Sequence, residues 1–246
     1  MIEQQIYDNK FYENRSTTLR SAEIIIPDLL KLMPIKSVVD IGCGPAEWLG
    51  VFERHGISDV LGFDGEWVDK KILHIQPEKF VSADLKQPIS LARTFDLAVS
   101  LEVAEHLPES VAQSFIESLT RLAPAVLFSA AIPLQGGAYH LNEQWPSYWA
   151  RLFANRGYKA VDCVRKSIWT QPEVCWWYSQ NCLLYVKEEL LQSNDLLRAE
   201  ALKTNENMLN LIHPRLFTYY TQRHNTLLGL IPTPLKWLYR KFLKKQ

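Results

Sequence analysis

One segment of twelve residues, 38–49, constrains the fold of this chain more than any other. It reads Val-Val-Asp-Ile-Gly-Cys-Gly-Pro-Ala-Glu-Trp-Leu, which is typical of a buried strand, a glycine turn and the start of a helix. A further acid, Asp64, ends the next strand-like run at residues 60–64. Strand, glycine turn, helix, strand and acid in this order indicate a nucleoside-binding site in a doubly wound α/β fold.

The rest of the chain alternates strand-like and helical patterns, as a mainly parallel sheet requires. Strands are predicted at residues 37–41, 60–64, 80–83, 95–101, 125–130, 158–164 and 182–186. Helices are predicted at residues 16–33, 46–55, 66–71, 109–122 and 146–155, with Pro27 as a candidate break in the first. We therefore predict a Rossmann-like, doubly wound, mainly parallel seven-stranded sheet with helices on both faces. It should occupy residues 1–190, followed by a helical, basic C-terminal extension of residues 191–246.

The formal charge of zero conceals an uneven distribution of charge along the chain. Residues 1–206 carry 20 basic and 27 acidic side chains, whereas residues 207–246 carry seven basic and no acidic ones. The acidic body disfavours nucleic acid as a partner, because it offers no broad basic surface. In the tail, residues 234–245 place apolar side chains on one helical face between basic ones. This pattern fits an anionic membrane surface, a packing or oligomer contact, or RNA.

The sequence shows no signal peptide and no apolar run of the roughly 18 residues that a membrane span needs. We therefore expect a cytoplasmic protein, with any membrane contact confined to the inner surface. No two of the four cysteines form a Cys-x-x-Cys pair, so we expect reduced thiols rather than zinc ligands.

The charges beside the glycine turn distinguish between two classes of cofactor. Gly42 and Gly44 permit a tight turn and close approach of a ligand to the backbone, which suits both classes. The dinucleotide pattern would need Gly or Ala at position 47, where this chain has Glu47. Together with Asp40, Glu47 would repel a pyrophosphate and attract a cation. The chemistry favours S-adenosylmethionine over NAD.

Taken together, the motifs resemble those of the class I S-adenosylmethionine-dependent methyltransferases over about residues 36–190. The resemblance rests on residues 40–44, Asp64, Asp84 and the run 95–107, and it extends to a bacterial subgroup, type 11/23-like, associated with glycan-assembly genes. It implies a cofactor site made of Asp40, Gly42, Gly44, Asp64, Asp84, Leu85, Ser100, Leu101 and Glu102. Asp64 would hold the ribose, and Asp84 would face adenine or else cap a turn. Ala46 stands where many members have a third glycine.

The candidate catalytic residues are Glu105, His106 and His140. Glu105 and His106 follow the fourth strand, where ligands bind at the carboxyl edge of the sheet. The resemblance implies that this pair shapes the active-site floor. His140 lies in an aromatic and polar loop after the fifth strand and is a candidate base or substrate ligand. Alternatively, His140 bonds the backbone, and Asn142 or Glu143 caps the helix that begins at Pro146.

The sequence does not predict a metal site. Glu102, Glu105, His106 and His140 are residue types that ligate metals, as in methyltransferases acting on small-RNA 3′ ends. Those enzymes carry a second histidine beside the first, whereas Leu107 follows His106 here.

The predicted reaction is O-methylation of a sugar, glycan or other small-molecule acceptor, within polysaccharide biosynthesis. Five of the eight tryptophans lie between residues 145 and 177. We expect most of these rings in the core and one or two at the acceptor. Two alternatives stay open: an RNA or tRNA methyltransferase, and a non-catalytic partner protein that binds the cofactor.

Overall fold

The computed structural model of the protein describes residues 16–221. Their backbone contacts fall into two units, one that ends at Leu211 and one that begins at Ile212. In the second unit, residues 214–221 are helical. None of the helices in the described part has the length and apolarity needed to cross a membrane. Residues 234–245, with their predicted membrane contact, lie outside the described residues.

A seven-stranded sheet forms the centre of the first unit. Its strands are β1 (Ser37–Ile41), β2 (Asp59–Asp64), β3 (Phe80–Ser82), β4 (Leu97–Leu101), β5 (Ala125–Ser129), β6 (Tyr158–Val161) and β7 (Leu183–Lys187). They lie in the order β3-β2-β1-β4-β5-β7-β6, and β7 alone runs antiparallel to its neighbours. The carboxyl ends of the other six strands therefore share one edge, which confirms the predicted mainly parallel sheet.

Helices cover both faces of the sheet, as predicted. They are α1 (Ser16–Leu32), α2 (Glu47–Arg54), α3 (Ala112–Leu122), α4 (Pro146–Ala154), α5 (Val164–Ile168), α6 (Trp176–Asn181), α7 (Glu188–Ser193) and α8 (Asp195–Leu202). One apolar core joins α1, α2, α5 and α6 to one face, and a second joins α3 and α4 to the other. The strands bury both faces, which explains their nearly continuous apolar sequences.

The predicted helix at residues 66–71 is wrong. This stretch holds a turn and then the single 3₁₀ turn Lys70–Ile72. The Asp69 side chain accepts a hydrogen bond from the Lys71 amide at 2.9 Å, which favours a turn over a helix. Helix α1 continues through Pro27, so the expected break is absent.

Strand β4 begins at Leu97, two residues later than predicted, because the Asp96 side chain hydrogen-bonds the start of β1. Its Oδ2 accepts hydrogen bonds from the backbone amides of Lys36 at 2.7 Å and Ser37 at 3.0 Å, where β1 begins. Helices α5 and α6 were not predicted. Each spans under two turns and gives little periodic signal.

A fully buried guanidinium connects these late helices. Arg165 in α5 makes a bidentate ion pair with Asp162, at 2.9 and 2.7 Å. It also donates to the backbone carbonyls of Gln180 in α6, at 3.1 Å, and Leu209, at 2.7 Å. One side chain thus holds three separate segments beside β7.

We expect Arg165→Met to destabilise the protein by about 3–5 kcal/mol, because it leaves the Asp162 carboxylate buried and unpaired. Arg198→Met is the matched control, since Arg198 pairs with Asp195 at the surface. That control should cost less than about 1 kcal/mol. Urea unfolding followed by circular dichroism measures both. Equal losses would show that Arg165 is no more important than a surface arginine.

Candidate active site

A cavity of about 930 Å³ opens at the carboxyl edge of the sheet. Residues from the ends of β1 to β4, the 135–141 loop, α1 and α6 line it. The lining includes Asp40, Gly42, Gly44, Asp64, Asp84, Leu85, Leu101, Glu102, Glu105, His106 and His140. The fold therefore brings the predicted cofactor and catalytic residues together, with the exception of Ser100.

Ser100 lies behind the cavity wall. It is fully buried in β4, and its hydroxyl donates to the backbone carbonyl of Ile41 at 2.9 Å. This hydrogen bond links β4 to β1, and Ser100 does not line the cavity.

Asp64 closes the glycine turn. Its Oδ2 accepts from the Gly44 amide and its Oδ1 from the Gly65 amide, both at 2.7 Å. A carboxylate has about four lone-pair sites, so it can accept ligand hydroxyls in addition to backbone amides. The turn thus fixes the carboxylate at the cavity wall before any ligand binds.

Two backbone positions in the turn restrict its sequence. Gly42 has φ +85°, and a Cβ there would lie 2.3 Å from a methyl carbon of Val103. Ala46, where many methyltransferases have a third glycine, has φ +63° and directly precedes α2. Its left-handed conformation explains the glycine preference at that position.

The cavity wall is acidic. Seven carboxylates and one lysine are among the lining residues. Burial, and after it the charges of Asp40 and Asp64, raise the pKa of the Cys43 thiol well above its usual range. A pyrophosphate would be repelled here, whereas a sulfonium and an ammonium group would be attracted. The residues present fit S-adenosylmethionine.

Asp84 is exposed at the cavity rim, and Leu85 is buried beside it. The Asp84 Oδ1 accepts from the Lys86 amide at 3.0 Å, which is the local turn considered as the alternative. The other carboxylate oxygen, Oδ2, takes no part in that hydrogen bond. Asp84 can therefore cap the turn and also accept a hydrogen bond from adenine.

Glu102 directly follows β4 and has a left-handed backbone, at φ +56°. Its carboxylate accepts from Gln135 Nε2 at 3.0 Å and from Asn181 Nδ2 at 3.1 Å. Burial raises the pKa of Glu102, while hydrogen bonds from Asn181, Ser129 and Gln135 oppose that shift. Glu102 therefore acts as an anchor for two other segments. The sequence analysis missed Gln135 and Asn181, because single amides far apart in the chain give no pattern.

The Glu105 carboxylate, unlike that of Glu102, accepts no hydrogen bond from the described residues. It is also fully buried. Burial, and after it the charge of Glu102, raises the pKa of Glu105 well above its usual range. The backbone amides of Glu105 and Ala131 lower that pKa without reaching hydrogen-bond geometry. Glu105 thus lines the cavity with neither carboxylate oxygen hydrogen-bonded among the described residues.

Glu143 organises the loop that carries His140. Its Oε1 lies 2.8 Å from His140 Nδ1 and 3.1 Å from the Gly136 amide, and its Oε2 accepts from Leu134 at 2.7 Å. A Cβ on Gly137 would lie 2.2 Å from His140 Nε2, so this glycine makes room for the ring. The sequence predicts Glu143 only as a candidate helix cap, and no local pattern indicates its contact with His140.

The alternative in which this loop serves mainly as a cap is wrong. No side chain caps α4 at Trp145, and the Ser147 amide instead donates to Asn210 Oδ1 at 3.0 Å. His140 bonds a carboxylate rather than the backbone. The loop is docked on the floor through the Glu105 carbonyl, which accepts from the amides of Leu141 at 2.7 Å and Asn142 at 3.0 Å.

The docked loop places His140 beside the two residues after β4. The rings of His106 and His140 stand edge to face, with centroids 4.9 Å apart. One ligand atom from each of Glu105, His106 and His140 lies within 4.8 Å of the others. These three side chains are the residue types and the spacing from which a metal centre can be built.

Aromatic rings also line the cavity. Trp176, Trp177 and Tyr178 of α6 line the cavity, as does Trp67. Trp149, by contrast, is 1% exposed and packs in the core against Phe128. Of the five tryptophans between residues 145 and 177, only Trp149 is buried, so the expectation that most of them lie in the core is wrong.

Residues 12–179 match the family model described as a methyltransferase domain. A search of curated proteins finds no match. Among solved structures, DesVI of Streptomyces venezuelae is 14% identical with a TM-score of 0.55, covering 73% of this chain and 96% of that one.

Two further structures share the fold. The sugar N-methyltransferase KedS8 from Streptoalloteichus is 15% identical with a TM-score of 0.54, over 73% of this chain and 92% of that one. The magnesium protoporphyrin IX methyltransferase of Synechocystis, with SAH bound, is 16% identical with a TM-score of 0.50, over 71% and 85%. At these identities the likeness concerns the fold.

The family model spans more than half of the chain, and the strand order, the glycine turn and the acidic cavity agree with it. The chain belongs to the methyltransferase domain family and is a class I S-adenosylmethionine-dependent methyltransferase.

Proposed function

We propose that the protein methylates a hydroxyl oxygen of a sugar, a glycan intermediate or another small polar acceptor. The observation that carries the proposal is the His140–Glu143 pair, at 2.8 Å, on a loop docked over the cofactor cavity. An imidazole oriented by a carboxylate is a common arrangement for a general base.

The cofactor supplies a methyl group on a sulfonium: as the acceptor oxygen forms its bond to carbon, the sulfur–carbon bond breaks and its electron pair stays on sulfur. In our proposal Asp64 holds the ribose hydroxyls and Asp84 faces the adenine amine. Asp40 and the glycine turn would hold the cationic end of the cofactor. The seven lining carboxylates make a cationic ligand more favourable than its neutral thioether product.

His140 removes the acceptor proton. With Nδ1 engaged by Glu143, Nε2 is the nitrogen left to accept the hydroxyl proton. The imidazolium that forms is stabilised by the Glu143 carboxylate. Glu105 and His106 form the floor below the acceptor, and Trp176 and Trp177 offer flat faces on which a sugar ring can stack.

The sugar assignment has a parallel in the fold, because KedS8, a sugar N-methyltransferase, has the same architecture although it methylates nitrogen. An RNA acceptor is less favoured, since residues 1–206 carry an excess of acidic side chains and the cavity wall is acidic. Incubation with methyl-labelled cofactor and fractionated lysate decides the class. Label in glycan or small-molecule fractions is expected, and label confined to RNA or protein would contradict the proposal.

We expect Asp64→Asn to weaken cofactor binding by about 10- to 100-fold, because it removes a charged acceptor that has its geometry fixed by two amides. Isothermal titration calorimetry with S-adenosylmethionine measures the change. Asp59→Asn, an exposed aspartate at the opposite end of the same strand, is the control and should bind normally. Equal affinity of the Asp64 variant and the control would remove Asp64 from the ribose site.

We expect His140→Ala to lower kcat by about 100-fold or more, with little effect on cofactor affinity. Glu143→Gln should lose less, because the carboxamide still accepts from Nδ1 but no longer stabilises the imidazolium. His55→Ala alters an exposed histidine outside the cavity and is the control. Single-turnover transfer of labelled methyl to the identified acceptor fraction is the measurement. A loss within threefold for His140→Ala would exclude a base of that strength.

A further inference from the structure

The two glutamates after β4, Glu102 and Glu105, differ in their hydrogen bonding. Amide donors from Gln135 and Asn181 satisfy Glu102. Glu105, three residues later, is 0% exposed, and both of its oxygens lack a partner among the described residues. A buried carboxylate without hydrogen bonds is costly, so it calls for a positive partner.

Two imidazoles converge on that carboxylate. One ligand atom from each of Glu105, His106 and His140 lies within 4.8 Å of the others, and the two rings stand edge to face. Ligand atoms around a tetrahedral zinc ion lie about 3.3 Å apart, given bonds of about 2.0–2.1 Å. Small rotations of these side chains would close the cluster to that size.

The surroundings of His140 match those of a metal-binding histidine. Ligating histidines usually donate their second ring nitrogen to a carboxylate, which fixes the tautomer. His140 Nδ1 is 2.8 Å from Glu143 Oε1, so Nε2 is left as the ligand. The amides of Leu141 and Asn142 fasten the same loop to the Glu105 carbonyl. The ligands are thus tied to each other even though 35 residues separate Glu105 from His140.

We propose that Glu105, His106 and His140 bind a divalent transition-metal ion at the acceptor end of the cofactor cavity. A set of two imidazoles and one carboxylate suits zinc, manganese, iron or cobalt, whereas magnesium and calcium prefer oxygen ligands alone. Three protein ligands leave a position for an acceptor oxygen. This proposal departs from the sequence-based expectation of no metal, which looked for the second histidine beside His106. The fold supplies it from a distant loop.

The role of the ion rests on the proposed function, although binding of the ion does not. A bound cation would hold the acceptor hydroxyl oxygen and lower the pKa of that hydroxyl. The hydroxyl proton then leaves to water, because the ion occupies Nε2 of His140. With the ion bound, His140 is its ligand and the ion activates the oxygen, so the role of His140 as the base, proposed above, applies to the metal-free protein.

The test uses the full chain, stripped with a chelator, without cofactor or acceptor. Manganese(II) or zinc(II) is added alone, and bound metal is measured after dialysis, with electron paramagnetic resonance for manganese. We expect one ion per chain and a rise in Tm. No stoichiometric binding of either ion at millimolar concentration would overturn the proposal.

Two variants test the ligand set. Glu105→Gln should weaken ion binding by about 100-fold while leaving the metal-free protein as stable as the parent or more so, since it removes an unpaired buried charge. Gly137→Ala keeps all three ligands but displaces the His140 ring from its place, and should weaken binding by about tenfold or more. His55→Ala is again the control. Unchanged ion affinity in both variants would assign the ion to another site.

Failure of this proposal and failure of the proposed function give different results. Full methyl transfer to a hydroxylated acceptor by the chelated, metal-free protein would retain O-methylation and reject the catalytic ion. Stoichiometric ion binding that depends on Glu105, in a protein that labels only RNA or protein fractions, would retain the ion and reject the acceptor class.

Discussion

The geometry of the site depends on the hydrogen bonds that the Glu102 carboxylate accepts. The backbone of Glu102 is left-handed, a conformation that costs a residue with a side chain about 1–2 kcal/mol. That cost is offset because the strained backbone aims the carboxylate at donors from Gln135 and Asn181. The next residues turn directly into the Ala104–His106 segment, so the same strain brings Glu105 and His106 under the cavity.

The amides around Glu102 join three parts of the chain that are far apart in sequence. Gln135 Oε1 accepts from Gln180 Nε2 at 3.0 Å and from Asn181 Nδ2 at 2.9 Å. The start of the His140 loop is thereby tied to the end of α6, and both are tied to β4. Because Arg165 binds the backbone carbonyl of Gln180, the ion pair behind the sheet supports the same network. The same contacts therefore stabilise the fold and set the geometry of the site.

Sequence reasoning reached the features that depend on local pattern. Alternation of strands and helices predicted the sheet, and the order of Gly42, Gly44 and Asp64 predicted the cofactor end of the cavity. It did not reach features that depend on single side chains meeting across long separations. The Glu143–His140 pair and the Gln135 and Asn181 amides are of this kind. Ser100 shows a different limit of sequence reasoning. It lies at the predicted strand end, but its side chain faces β1 and not the cavity.

The loop from Leu134 to Glu143 shows how acceptor chemistry can vary while the cofactor site stays fixed. Leu134 and Tyr139 have left-handed backbones, and both side chains are largely exposed. No apolar burial of these two residues can hold such a loop, so its shape depends on the three contacts of the Glu143 carboxylate and on the two amides bound to the Glu105 carbonyl. Its outward side chains are free of those contacts. Substitution there can alter what enters the cavity without moving His140, whereas Asp64 and the glycine turn remain set by β1 and β2.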